Sequence, residues 1–149
     1  MLRLGPRTLL GEGATMSNQP AADEAKKDYF VERDGLRFAG THILLEFWGA
    51  KGLDDLQHIE GALREATTAA KATLLKINLH RFSPNGGISG VALLAESHIS
   101  IHTWPERSYA ALDIFMCGDA DPYLAVPVLK LMLEPEQVQI SEHKRGLRL

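Results

Sequence analysis

The run Glu96-Ser97-His98-Ile99-Ser100-Ile101-His102 brings a carboxylate, two hydroxyls and two imidazoles into one short stretch. Twenty residues after Ser97 comes Cys117, the single cysteine of the chain. Three chemistries use such groups. A soft metal site would need His98 and His102 on one side of a helix with Cys117 to complete it. However, Ile99, Ile101 and Thr103 are β-branched and Pro105 follows, which favours an extended segment. Residues four apart in a strand share a face but stand roughly 13 Å apart, too far to chelate one ion. A serine nucleophile fits poorly, because Ser97 lacks the flanking glycines of a nucleophile elbow. A cysteine–histidine hydrolase stays open, as does a plain role for Cys117 as a small buried side chain at a strand end. His42, His58, His80 and His143 read as structural or solvated, Trp104 as core, and Glu106 and Asp113 as solvated faces.

The elements that must hold these groups are legible in outline. Thr41 to Trp48 is rich in β-branched and aromatic residues and reads as a strand. Leu53, Leu56, Ile59, Leu63 and Ala66 recur at helical spacing, with Asp54 and Asp55 placed in the first turn. Leu75, Ile77 and Leu79 alternate with Lys76, Asn78 and His80 as in a half-buried strand. Phe82 to Gly87 is a turn with one proline and two glycines. Strands are expected from Ile88 to Ala95, His98 to Thr103, Tyr109 to Met116 and Val138 to Ser141. Asp121-Pro122 starts a second helix with Leu124, Val128, Leu131 and Met132 on its apolar face, and Pro127 falls early in it. The order β-α-β-β-β-β-α-β points to an α+β two-layer sandwich, a mainly antiparallel sheet with two helices on one face.

The strings Ala95-Glu-Ser-His-Ile-Ser-Ile-His-Thr-Trp-Pro-Glu106 and Tyr109-Ala-Ala-Leu-Asp-Ile-Phe-Met-Cys-Gly118 resemble the prokaryotic S-adenosylmethionine decarboxylase proenzymes. The likeness takes in Gly49 to Asp55, Phe82 to Gly90 and Gly118 to Pro122, and covers the chain from about Gly40 onward. The resemblance implies self-cleavage between Glu96 and Ser97, leaving a β chain (1–96) and an α chain (97–149) that begins with a pyruvoyl group made from Ser97. It implies that His102 accepts the Cα proton of Ser97 during processing and that Ser89 assists. It further implies that Cys117 protonates the decarboxylated substrate carbon. The pyruvoyl carbonyl would form a Schiff base with the substrate amine and draw off the electrons released with carbon dioxide. Phe82 and Trp104 match positions near the substrate, and Glu106 matches one that binds ribose hydroxyls.

The expected activity is decarboxylation of S-adenosylmethionine to the aminopropyl donor of spermidine and polyamine synthesis. Arginine or ornithine decarboxylation is the alternative within the family, and a Cys/His hydrolase or a metal-binding module the alternatives outside it. No metal is called for, and a homodimer of processed protomers is expected. Cys117→Ala should slow turnover and leave self-cleavage largely intact. Ser97 and His102 are five apart, on opposite faces of a flat strand, so a bulge or sharp bend between them is expected.

Composition agrees with a soluble domain: 45% apolar, 23% charged, net charge −3. No basic stripe suggests nucleic acid, and no apolar run is long enough for a bilayer. A single cysteine fits a reducing compartment, and a cytoplasmic location is expected. Residues 1–39 read as a disordered extension, faintly like a targeting segment around Arg3 and Arg7 and polar after Met16, with order beginning near Gly40.

Overall fold

The computed structural model describes residues 28–148. The Arg3 and Arg7 pattern and the start of the polar stretch at Met16 lie outside the described residues. Order begins before Gly40: β1 (Val31–Arg33) and β2 (Leu36–Phe38) pair as an antiparallel hairpin. Its turn is Asp34-Gly35 at φ 53° and 74°, the pair of left-handed residues that a tight hairpin turn requires. Phe38 anchors it by complete burial.

Six further strands make one antiparallel sheet in the order β4-β5-β6-β7-β3-β8. They are β3 (Gly40–Trp48), β4 (Leu74–Arg81), β5 (Ile88–Leu94), β6 (Ser97–Trp104), β7 (Tyr109–Met116) and β8 (Gln137–Arg145). Helices α1 (Leu56–Ala69) and α2 (Ala125–Leu133) pack against each other, and α1 lies on β4 and β5. The result is the α+β two-layer sandwich, with both helices on one face. Strand alternation divides the sheet residues cleanly. Ile43, Leu45, Phe47, Ile99, Ile101 and Ile114 are fully buried beneath the helices, each contributing about 2 kcal/mol of apolar burial. Among the described residues no layer covers the other face.

Three local expectations are corrected. Asp55 is the N-cap of α1, accepting from the N–H groups of Gln57 and His58, so neither aspartate sits inside the first turn. In β4 a register irregularity between Leu74 and Lys76 breaks the simple alternation, and Leu75 is 61% exposed while Ile77 and Leu79 pack on the core. In α2 the buried residues are Ala125, Val126, Leu129 and Leu133, whereas Leu124 and Leu131 are exposed. That helix is apolar nearly all round, so spacing alone could not choose its inner face. Asp121 does cap the chain entry, but the first turn, Pro122–Leu124, is a 3-10 turn leading into α2.

Candidate active site

Strands β5 and β6 are joined by the two-residue turn Ala95-Glu96, with Leu94 opposite Ser97. Glu96 has φ 63°, a left-handed conformation that costs a residue with a side chain about 1–2 kcal/mol. The bond after this strained residue leads to Ser97, which is buried at the start of β6. Cys117 leaves the end of β7 beside it. The Cys117 N–H donates to Ser97 Oγ at 3.3 Å, and the thiol donates to the Glu96 carbonyl at 2.8 Å. Ser97 Oγ and Cys117 Sγ are 3.8 Å apart. A hydroxyl therefore adjoins its own preceding peptide bond while a thiol polarises that bond's carbonyl.

A second cluster forms farther along the same strands. Ser89 on β5 stands opposite His102 on β6, and Ser89 Oγ lies 2.8 Å from His102 Nδ1. Both line a cleft of about 260 Å³ with Phe82, Asn85, Trp104 and Glu106. Phe82 enters it from the β4–β5 turn, where the Phe82 and Gly86 N–H groups donate to the Gly87 and Phe82 carbonyls. Gly86 takes φ 75° there. Glu106 sits in the 3-10 turn Pro105–Arg107 that follows β6. Thr103 ties the floor together: its Oγ1 donates to the Leu53 carbonyl and accepts from the Ile88 N–H.

The expected bend between Ser97 and His102 is absent. From His98 to Trp104, β6 pairs with β7 without a register shift, and from Ser97 to His102 it pairs with β5 in the same unbroken way. Ser97, Ile99, Ile101 and Thr103 are buried, whereas His98, Ser100, His102 and Trp104 lie on the open face. Five strand steps separate Ser97 from His102 by roughly 17 Å. The chain thus carries two separate clusters: Glu96, Ser97 and Cys117 at one end of the hairpin, and Phe82, Ser89, His102, Trp104 and Glu106 at the other.

Two groupings on the open face are not legible from spacing. Trp48, Tyr109 and Trp104 share a register across β3, β7 and β6. Their rings stack at centroid distances of 4.3 and 5.2 Å, extending an aromatic ladder from the cleft. Burial, then a hydrogen bond to Glu46, pushes the Tyr109 phenol up to about 12. Asp113 gathers His42, His98 and Ser100, with His42 Nε2 at 2.6 Å, His98 Nε2 at 3.1 Å and Ser100 Oγ at 2.7 Å. Burial opposes its ionisation, but the Ser100 and His42 hydrogen bonds and the neighbouring imidazoles outweigh it and hold the carboxyl below the usual range. These donors lie close enough together to hold an ion. The 2.6 Å contact is a hydrogen bond, since ligands on one ion at about 2.1 Å stand farther apart. His98 therefore associates with Asp113 and not with His102 or Cys117.

Residues 41–146 match the family model for S-adenosylmethionine decarboxylase. The chain belongs to that family. An S-adenosylmethionine decarboxylase proenzyme of Thermomicrobium roseum is 42% identical over 113 residues, covering 75% of this chain and 97% of that one. One from Methanococcus maripaludis is 48% identical over 111 residues, covering 72% and 90%. Among solved structures, the adenosylmethionine decarboxylase of Aquifex aeolicus superposes with a TM-score of 0.67 at 35% identity, covering 75% of this chain and 94% of that one. The decarboxylase fold thus spans the six-stranded sheet and its helices, and the β1–β2 hairpin precedes the matched residues. The hydrolase alternative loses its support in the geometry. The hydrogen-bond partners of Cys117 are the Glu96 carbonyl and the Ser97 hydroxyl rather than an imidazole. No helix among the described residues is long and apolar enough to cross a membrane.

Proposed function

We propose that this chain is a self-cleaving decarboxylase of S-adenosylmethionine whose active site is completed by a second copy. The observation that carries the reading is the thiol of Cys117 on the carbonyl of Glu96, at a strained turn followed directly by a buried serine. Ser97 Oγ attacks the Glu96 carbonyl carbon and the C–N bond breaks, so the amide becomes an ester with a free amine on Ser97. Relief of the Glu96 strain and the thiol donor both favour this step. Removal of the Ser97 Cα proton then expels the Glu96 carboxylate. Water replaces nitrogen, and ammonia leaves behind a ketone, the pyruvoyl group. This group fits the site because its precursor is already fixed there, buried and next to a proton-bearing thiol.

His102 is the proposed proton acceptor. In the tautomer in which its Nδ1–H donates to Ser89 Oγ, its Nε2 keeps a free lone pair. It cannot reach Ser97 of its own protomer from the opposite face of β6. His102 and Ser89 of the partner subunit therefore serve Ser97. The open sheet face suits such a homodimer, since Trp48, Val91, Leu93 and Trp104 are exposed on it and one copy leaves that apolar surface in water.

In turnover the pyruvoyl group supplies the sink for the electron pair released with carbon dioxide. Cys117 delivers a proton to the substrate carbon. Phe82 and Trp104 offer aromatic faces for the adenine and the sulfonium, and Glu106 offers a carboxylate for ribose hydroxyls. The product supplies aminopropyl groups for polyamine synthesis. Carbon dioxide release from carboxyl-labelled S-adenosylmethionine, with arginine and ornithine as competitors for the assignment, tests the reading. Release from either amino acid and none from S-adenosylmethionine would overturn it.

A further inference from the structure

The residue after Cys117 is held by a segment that lies before the family match at 41–146. Three successive groups fix the Cys117-Gly118 corner. The Cys117 thiol and N–H go to the Glu96 carbonyl and the Ser97 hydroxyl. The next N–H, that of Gly118, donates to the carbonyl of Tyr29 at 3.0 Å. Gly118 has φ 60°, and a Cβ there would meet Tyr29 Cδ1 at 3.5 Å, so the Tyr29 ring lies over this corner. Residues Asp28 to Arg33 form one wall of a cleft whose other wall is Gly118 and Asp119.

The segment is itself anchored. Asp28 pairs with Arg37 on β2 and accepts from the Phe30 N–H at 3.0 Å. The hairpin is pinned by buried Phe38 and by the Ala39 N–H, which donates to the Arg145 carbonyl of β8 at 2.7 Å. A chain of contacts thus runs from the sheet through the hairpin to the residue after Cys117.

We infer that Asp28-Tyr29-Phe30 is a positioning strap that holds the Cys117 thiol on the Glu96 carbonyl before cleavage and in place to protonate substrate afterwards. This rests on the role given to Cys117 above. The strap does not line the cleft of Phe82, Trp104 and Glu106. It acts on the proton-delivering group and not on substrate affinity.

The test replaces Asp28, Tyr29 and Phe30 together by glycine in the full-length chain. Glycine keeps the backbone carbonyl at position 29 but removes the Asp28–Arg37 pair and the Tyr29 ring that hold it against Gly118, and release of that one ordinary hydrogen bond corresponds to about a fivefold effect. Self-cleavage and kcat should each fall by about that factor with KM unchanged. In the Ser97→Ala background, where Cys117 is the single thiol, iodoacetamide should alkylate it about fivefold faster. The melting temperature should stay close to that of the parent. A folded triple-glycine chain that cleaves, turns over and alkylates at parental rates overturns the strap. If that chain does not fold, Asp28→Ala with Arg37→Ala loosens the same segment and must shift alkylation in the same direction. A parent chain that never cleaves would refute the reading of Ser97, while the alkylation contrast would still decide the strap.

Discussion

If a second copy completes the site as proposed, mixing two inactive chains should restore cleavage, because Ser97 and His102 of one chain lie on opposite faces of β6. Ser97→Ala removes the nucleophile and His102→Ala removes the proposed base. Direct proton transfer needs heavy atoms about 3 Å apart, and five strand steps span roughly 17 Å. Neither variant alone can complete processing. In a mixed dimer, one site brings the two substituted positions together and is dead, while the other combines an intact Ser97 with an intact His102. Random pairing at equal expression makes about half of the dimers mixed. About half of the His102→Ala chains should then be cut, and none of the Ser97→Ala chains. Denaturing electrophoresis of the co-expressed chains gives that count, and capture through two different tags in turn, which keeps only the mixed dimers, should leave every His102→Ala chain cut. Doubly captured dimers in which neither chain is cut would refute the shared site. So would full cleavage of the His102→Ala chain expressed alone.

Further outcomes follow from the same geometry. Cys117→Ala should slow self-cleavage about tenfold, since the structure puts the thiol on the scissile carbonyl, and a weak donor is worth less than a full oxyanion-hole amide; a time course of uncut chain measures it, and unchanged cleavage would remove the thiol from processing. The same variant should lose activity progressively during turnover, as protons reach the wrong carbon. Glu96→Gly relieves a left-handed strain of about 1–2 kcal/mol and should slow cleavage several-fold while raising the melting temperature of the uncut chain. Trp104→Ala and Glu106→Ala should raise KM for S-adenosylmethionine with little change in cleavage. Asp113 is held below the usual carboxylate range, so the stability it contributes is present above about pH 4 and lost as pH falls through its folded value. Asp113→Asn should flatten the acid limb of the melting curve, and parallel limbs would show that the cluster contributes nothing.

The local texture of the chain was legible where period and turn chemistry agree. Tyr109 to Met116 alternates cleanly and is a strand with those bounds, and Asp121 caps the turn that enters α2. Legibility ended where a partner strand decides. The break at Leu74 and Lys76 in β4 depends on its pairing with β5, and the ladder Trp48–Tyr109–Trp104 exists through register across three strands. The hairpin turn Asp34-Gly35 was a readable signal, masked by the polar sequence around it. The period of two puts Ser97 and His102 on opposite faces, as the strand has them, but the bend expected between them is absent from the pairing. His98 gains a neighbour in Asp113, a contact between strands that no spacing within β6 could reveal.

Denaturing mass spectrometry of the purified chain tests the central claim most directly. The account predicts two fragments divided between Glu96 and Ser97, with the C-terminal one lighter by one ammonia than a fragment beginning with serine. A single intact chain, or a C-terminal fragment that keeps its serine amine, would contradict it.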